Sequence, residues 1–293
     1  MLQEVKEHYL AVNGAELCWF EWGQANSEPT ILLVHATGFH ARCWDQVIVH
    51  LEDRHVIAVD QRGHGRSSKD GPVPWQQYGE DLVAFIEALD LSNIVLAGHS
   101  MGGYCATVAL AQIQDRVSAA LLVDPVIFSP DAYLGDANKH DAFLNESNEH
   151  PVARRRNHFV DAAAMYDNFE GRGSYASWTH EALHDYCQWG LLPDEENGGF
   201  KLACPPVIEA SIYMGSQHSP LGLALDNIEV PVTILRAQQR AEDSTELDFT
   251  KSPTWPELAN QFGAGRDVYL PELTHFMPMQ QPELVADYIL GKL

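Results

Sequence analysis

The pentapeptide Gly98-His99-Ser100-Met101-Gly102 sets a serine between two glycines, after the apolar run 93–97 and before the small-residue stretch 103–114. A serine held on a sharp strand-to-helix turn takes a strained backbone conformation that crowds the residues two positions to either side, and glycine at both removes the clashing Cβ atoms. A hydroxyl so placed stands at the positive end of the following helix, with the Met101 amide directed at any oxyanion that forms. That arrangement suits nucleophilic attack on a carbonyl, which requires a base within reach of the hydroxyl and a further group to orient the base.

Among fourteen histidines, His275 is the one that follows the last expected strand and the turn Pro271-Glu272-Leu273-Thr274, just before a C-terminal helical run. It therefore belongs to the same sheet edge as Ser100. Two positions are open for the orienting carboxylate. Asp124 ends the strand after the serine strand. After the next strand the chain reads Arg236-Ala237-Gln238-Gln239-Arg240, with no carboxylate before Glu242 and Asp243. Arginine cannot accept a hydrogen bond from imidazole, which favours Asp124 and leaves Asp243 as the alternative. A second oxyanion donor is expected in His35-Ala36-Thr37-Gly38-Phe39, with the Thr37 amide joining that of Met101 and His35 acting structurally. Phe39, His40 and Trp44 are candidates for the acyl side of a pocket, Trp44 serving equally well in the core.

The elements that must carry these residues are legible as short β-branched and apolar runs at 8–12, 17–22, 30–35, 55–60, 93–99, 119–124, 232–237 and 267–270. Helical periodicity fills 75–89, 103–114, 255–262 and 282–290, which makes the chain α/β, an eight-stranded, mostly parallel sheet flanked by helices. Between about 126 and 226 the strand-like runs vanish, and a segment rich in Ala, His, Tyr, Trp and Asn takes over. A connection of that length must carry structure of its own. It is read as a helical cap inserted over the C-terminal edge of the sheet, so that 1–125 and 227–293 form the core domain. The cap holds the one basic cluster, Arg154-Arg155-Arg156. Arg154 or Arg155 would suit a substrate carboxylate, against the plainer reading of ion pairs to Glu146, Glu149 or Asp161. Ser252-Pro253-Thr254-Trp255-Pro256 reads as a rigid turn before a helix, without an assigned role.

The chain has 293 residues, of which 45% are hydrophobic, enough for a large core in one catalytic domain. A formal net charge of −23 argues against nucleic acid or an anionic membrane surface as partner. Residues 1–10 carry Glu4, Lys6 and Glu7 without an apolar signal core, and no run reaches the length of a membrane span. Five cysteines without a CxxC pair fit free thiols in a reducing cytoplasm. The oligomeric state is left open, a homodimer included.

Four motifs, HATGFH at 35–40, DQRGHGRS at 60–67, GHSMGG at 98–103 and LTHF at 273–276, in this order and spacing, resemble the α/β-hydrolase superfamily over most of the chain outside the insertion. The resemblance implies a Ser-His-Asp/Glu triad, no metal, no organic cofactor, a lid after the sixth strand and a mostly structural Arg62. The chain departs from the commonest pattern in lacking a carboxylate after the seventh strand, but similar proteins such as haloalkane dehalogenases and zearalenone-type lactonases carry the acid at the end of the sixth, where Asp124 stands. The dehalogenases and epoxide hydrolases use an aspartate nucleophile, so serine at 100 argues against both activities. The expected activity is hydrolysis of a small apolar or aromatic carboxylic ester through Ser100, His275 and Asp124. Alternatives on the same residues are lactone opening, carbon–carbon bond hydrolysis and perhydrolysis, and a non-catalytic ligand-binding role is the third class.

Overall fold

A computed structural model describes residues 4–71, 73–134, 150–216, 221, 224–240 and 248–293. Strands β1 (Val5–Val12), β2 (Ala15–Trp22), β3 (Thr30–Val34), β4 (Val56–Val59), β5 (Ile94–His99), β6 (Val117–Val123), β10 (Val232–Arg236) and β11 (Gly265–Tyr269) form one sheet in the order β1-β2-β4-β3-β5-β6-β10-β11. The first two make an antiparallel hairpin closed by Asn13 and Gly14, both at positive φ, the dipeptide that a two-residue hairpin turn favours. From β4 to β11 every pairing is parallel.

Parallel strands covered on both faces read as unbroken apolar runs, and the packing follows that rule. Leu32, Val34, Leu96, Leu122 and Ile234 point into one core with helices α2 (Trp75–Ala88) and α3 (Met101–Ile113). Ile31, Leu33, Val95, Ala97, Leu121 and Leu235 point into the other, against α1 (Asp45–Ile48) and the C-terminal helix. On α2 the apolar positions Tyr78, Leu82, Phe85 and Ile86 fall on one face at helical spacing.

All eight expected strands are present, with ends shifted by one to three residues, as β1 begins at Val5 rather than at 8. The helix expected over 255–262 is reduced to a single 3₁₀ turn, Leu258–Gln261. Its first residues are held elsewhere: Trp255 N donates to Ile127 O at 2.9 Å and the Thr254 hydroxyl to Pro125 O at 2.7 Å. Pro256 then supplies no amide hydrogen.

Between β6 and β10 the described chain holds α4 (Pro130–Leu134), α5 (Ala162–Phe169), α6 (His180–Trp189) and α7 (Pro206–Gly215). It also holds a small antiparallel sheet of β7 (His158–Phe159), β9 (Phe200–Leu202) and β8 (Leu191–Pro193) that the helical expectation omits. Strands of two or three residues are too short to show a period. Phe159, Met165, Trp178, Tyr186 and Leu202 of this segment pack against Ala36 and Phe39 after β3 and against Phe276. The segment thus covers the sheet edge at which β3 and β5 end. The chain closes with α8 (Met277–Gln280) and α9 (Pro282–Ile289). Among the described residues no helix is long and apolar enough to cross a membrane.

Arg62 is buried and doubly bonded to the equally buried Asp81 on α2, Nε to Oδ2 at 2.8 Å and Nη2 to Oδ1 at 3.0 Å, with a further bond to Asn13 O. Removing one partner leaves the other charge uncompensated. Asp81→Ala is expected to cost about 3–5 kcal/mol, read as a lowered denaturation midpoint; an unchanged midpoint would remove this pair as a tie between the 60–67 loop and the core.

Candidate active site

Ser100 occupies the junction of β5 and α3 at φ 58° and ψ −116°, a left-handed backbone that a serine adopts only under constraint. The constraint is visible on both sides. A Cβ at Gly98 would come within 2.3 Å of Gly102 O, and one at Gly102 within 2.2 Å of Val34 O. Ser100 N donates to Val123 O at 3.0 Å, and Ser100 O accepts from Gly103 N and Val126 N, so the turn is pinned to the end of β6. The Ser100 side chain makes no capping bond to its own helix.

The residue after β6 is Asp124, fully buried and at φ 46°. Its Oδ2 accepts from His275 Nδ1 at 2.7 Å. A carboxylate partner requires the proton on Nδ1, which leaves Nε2 as the basic nitrogen. The Oδ1 atom accepts from Ala237 N at 3.2 Å, Ser252 Oγ at 2.5 Å and Thr254 Oγ1 at 3.1 Å. His275 is fixed through its backbone as well: its carbonyl accepts from His99 Nε2 at 2.8 Å, and its amide donates to Thr250 O at 2.8 Å. His99, the neighbour of Ser100, therefore ties the histidine loop to the serine turn. Of the competing acid position, Arg236 is bonded to Asp267 at 2.6 and 2.8 Å, Arg240 donates to Asp248 O, and Asp243 lies outside the described residues.

The loop after β3 is buried throughout. His35 Nδ1 donates to Ala36 O at 2.7 Å and Nε2 accepts from Gln61 N at 3.0 Å, which uses both ring nitrogens; burial pushes its pKa down. His64 Nε2 accepts from Gly38 N at 3.0 Å while its Nδ1 donates to Arg62 O, and burial holds it well below the usual histidine range. Phe39 N is closed in a turn on Ala36 O. The amides of Gly38 and Phe39 are thus engaged within the loop. Thr37 is buried with an unpartnered Oγ1, and Met101 begins α3.

Phe39 stands in an aromatic wall, with ring centroids 5.5 Å from Trp178, 5.5 Å from Tyr186 and 6.0 Å from Phe276. His40 stacks on Tyr186 and its Nε2 bonds to Tyr186 O at 3.1 Å, with burial lowering its pKa to about 4. Trp44 belongs to the core beneath the sheet. A small cavity of about 10 Å³ lies beside this loop, lined by Gly38, Phe39, His40, Arg155, Tyr186 and Cys204 among others. Ser100 is not among its lining residues.

Within the basic cluster the three arginines diverge. Arg154 is exposed and outside the cavity wall, and Arg156 lies over the Phe159 ring. Only Arg155 faces the cavity, and it is already paired: Nη1 with Glu209 Oε2 at 2.6 Å, Nη2 with Tyr186 OH at 2.9 Å and Tyr175 OH at 3.2 Å. The partner is not one of the expected acids. Asp161 instead caps α5 through Ala164 N, and Glu146 and Glu149 lie outside the described residues. Glu209 sits on α7, more than fifty residues from Arg155, and burial raises its pKa. Sequence reasoning missed Glu209, His99, Ser252 and Thr254 as neighbours of the site. Only Ser252 and Thr254 carried a signal, the rigid proline turn they flank.

The alpha/beta hydrolase family matches residues 31–288, and the chain belongs to it. Among relatives, a 2-(acetamidomethylene)succinate hydrolase of Mesorhizobium japonicum is 25% identical over 253 residues, 86% of this chain and 85% of that protein. A bifunctional esterase/perhydrolase of Acinetobacter calcoaceticus is 26% identical over 290 residues, 95% of this chain and 96% of that protein. The solved structure of an E-2-(acetamidomethylene)succinate hydrolase matches with a TM-score of 0.76 at 23% identity, over 98% of either chain.

The tightness of the serine turn has a direct test. Gly102→Ala drives a methyl group into the Val34 carbonyl, and a loss of about 1–3 kcal/mol is expected in thermal or denaturant unfolding; an unchanged midpoint would show that the turn relaxes freely.

Proposed function

We propose that the protein is a serine hydrolase of carboxylic esters in which Ser100 is the nucleophile, His275 the base and Asp124 the orienting acid. The observation that carries this reading is the 2.7 Å bond from His275 Nδ1 to the buried Asp124, at the sheet edge where the strained Ser100 turn projects. In the reaction, Ser100 Oγ attacks the ester carbonyl while His275 Nε2 takes its proton. Asp124 stabilises the resulting imidazolium. The amides of Thr37 and Met101 donate to the oxyanion, while those of Gly38 and Phe39 are engaged within the loop. The imidazolium then protonates the departing alkoxide, leaving Ser100 acylated. Water, deprotonated by His275, attacks the acyl-enzyme, and the acid leaves.

In this reading, residues 126–226 act as the cap and supply part of the pocket wall. Phe39, Trp178, Tyr186 and Phe276 favour an apolar or aromatic group. The Arg155 guanidinium faces Glu209 within 2.6 Å, so the pair offers no net positive charge to a substrate. That favours an uncharged ester over a monoester of a dicarboxylic acid, in spite of the succinate in the name of the Mesorhizobium relative. A second reading on the same residues is perhydrolysis, favoured by the near full-length similarity to an esterase/perhydrolase. There hydrogen peroxide replaces water as the attacker of the acyl-enzyme and the product is a peracid.

The deciding experiment is turnover of a panel of p-nitrophenyl esters, alkyl and aryl diesters, monoesters and lactones by the protein and its Ser100→Ala variant, with and without hydrogen peroxide. Serine-dependent ester cleavage is expected, strongest on uncharged substrates, with Asp124→Asn costing on the order of 10⁴ in kcat. Turnover that survives Ser100→Ala, or failure of a fluorophosphonate to label Ser100, would overturn the assignment. A preference for monoesters that Arg155→Gln abolishes would overturn the uncharged-substrate part alone.

A further inference from the structure

The turn Ser252-Pro253-Thr254 lies 128 residues from Asp124 in sequence, counted to Ser252, yet two of its hydroxyls reach the same carboxylate oxygen. We propose that Ser252 is a positioning residue for the proposed reaction, acting through Asp124 on His275, with Thr254 as the anchor of the turn that presents it.

The geometry separates the two hydroxyls. Each has a single proton to donate. Thr254 Oγ1 lies 2.7 Å from Pro125 O and 3.1 Å from Asp124 Oδ1, so its proton goes chiefly to the carbonyl. Ser252 Oγ lies 2.5 Å from Asp124 Oδ1 and itself accepts from Thr254 N at 3.2 Å, which leaves its proton for the carboxylate. With Ala237 N, the Ser252 hydroxyl fixes Oδ1 and so the plane of the carboxyl group. Oδ2 is then presented in that plane to His275 Nδ1.

The turn is held at both ends. Ser252 N donates to Gln238 O at 2.9 Å beside a bridge from Ser252 to Gln239, and Trp255 N donates to Ile127 O at 2.9 Å. Two residues before Ser252, the Thr250 carbonyl accepts from His275 N at 2.8 Å. One short segment therefore orients the carboxylate with a side chain and the imidazole-bearing residue with its backbone. A proline between the two hydroxyls fixes φ at 253 and limits the play of the pair. The segment supplies an orienting contact that the strand after which Asp124 falls cannot supply itself, since the Asp124 backbone is committed to Leu235 O and Ala237 N meets only one lone pair of Oδ1.

The proposal rests on the serine-hydrolase reading, and its test has one arm that does not. Ser252→Ala, Ser252→Thr, Thr254→Val and Thr254→Ser are compared on the best ester of the panel for kcat and KM, with melting temperature as control. The second arm follows the His275 Nδ1 proton by NMR of histidine-labelled protein, where the bond to Asp124 shifts it downfield and Asp124→Asn abolishes the signal. Ser252→Ala is expected to lower kcat about ten- to a hundredfold, the worth of a hydrogen bond to a charged group, with KM unchanged, a moved proton resonance and recovery in Ser252→Thr. Thr254→Val is expected to lower the melting temperature more than Ser252→Ala does. A resonance and kcat untouched by Ser252→Ala would overturn the proposal, as would a kcat loss that only tracks lost stability. If Ser100→Ala retained turnover, the hydrolase reading would fall while the resonance still reported whether Ser252 orients the Asp124–His275 bond.

Discussion

A fully buried carboxylate is tolerable only if its lone pairs are met by donors, and Asp124 is the place where the structure satisfies that demand. The donors come from three separate stretches of chain: the start of the loop after β10, the turn at 252–254, and the imidazole at 275. None of these lies within a hundred residues of Asp124. The bonds at this one side chain therefore require β6, β10 and the connections on either side of β11 to be in register at the same edge of the sheet. The parallel pairing of β6 with β10 and of β10 with β11 provides that register. Fold and site are coupled through one buried acid rather than assembled independently.

A second ring of buried polar groups holds the loop after β3. Asp60 accepts from Ala41 N at 2.7 Å and from Arg66 N at 2.8 Å, and Lys69 donates to the carbonyls of His64, Gly65 and Ser67. His64 accepts from Gly38 N, and Arg62 ties the base of the same loop to α2 through Asp81. The DQRGHGRS stretch thus works as a scaffold for the 35–40 loop. Burial pushes the pKa of His64, and of His35 in the loop it supports, down from the usual histidine range, which favours the neutral rings whose Nε2 atoms accept from Gly38 N and Gln61 N. A protonated His64 would lose its acceptor nitrogen and release the Gly38 amide.

What the sequence makes legible follows from length and locality. The eight strands stand out because each is a continuous or alternating apolar run closed by a polar residue, and the Ser100 turn because its glycines lie within two residues of the serine. Asp124 and His275 are legible by position after a strand, and the structure brings them into contact. The missed features are non-local or short. The three strands of the small sheet carry no period, and the run at 255–262 has helical spacing that tertiary bonds at Thr254 and Trp255 override. Ser252 and Thr254 read as turn residues because their shared partner is far away in the chain.

The same limit explains Arg155. A cluster of three arginines invites an anion, and spacing offers only nearby acids as competitors. The fold instead brings Glu209 from α7, and its carboxylate crowds the Cα of Gly38, where an added Cβ would fall 2.4 Å from Oε1. The ion pair is therefore packed against the backbone of the 35–40 loop and completed by two tyrosine hydroxyls. Withdrawing Arg155 toward a ligand would strand a buried carboxylate, at a cost that a single new contact does not repay. The pair couples the inserted segment to the loop beside the site and places compensating charges at that wall of the cavity.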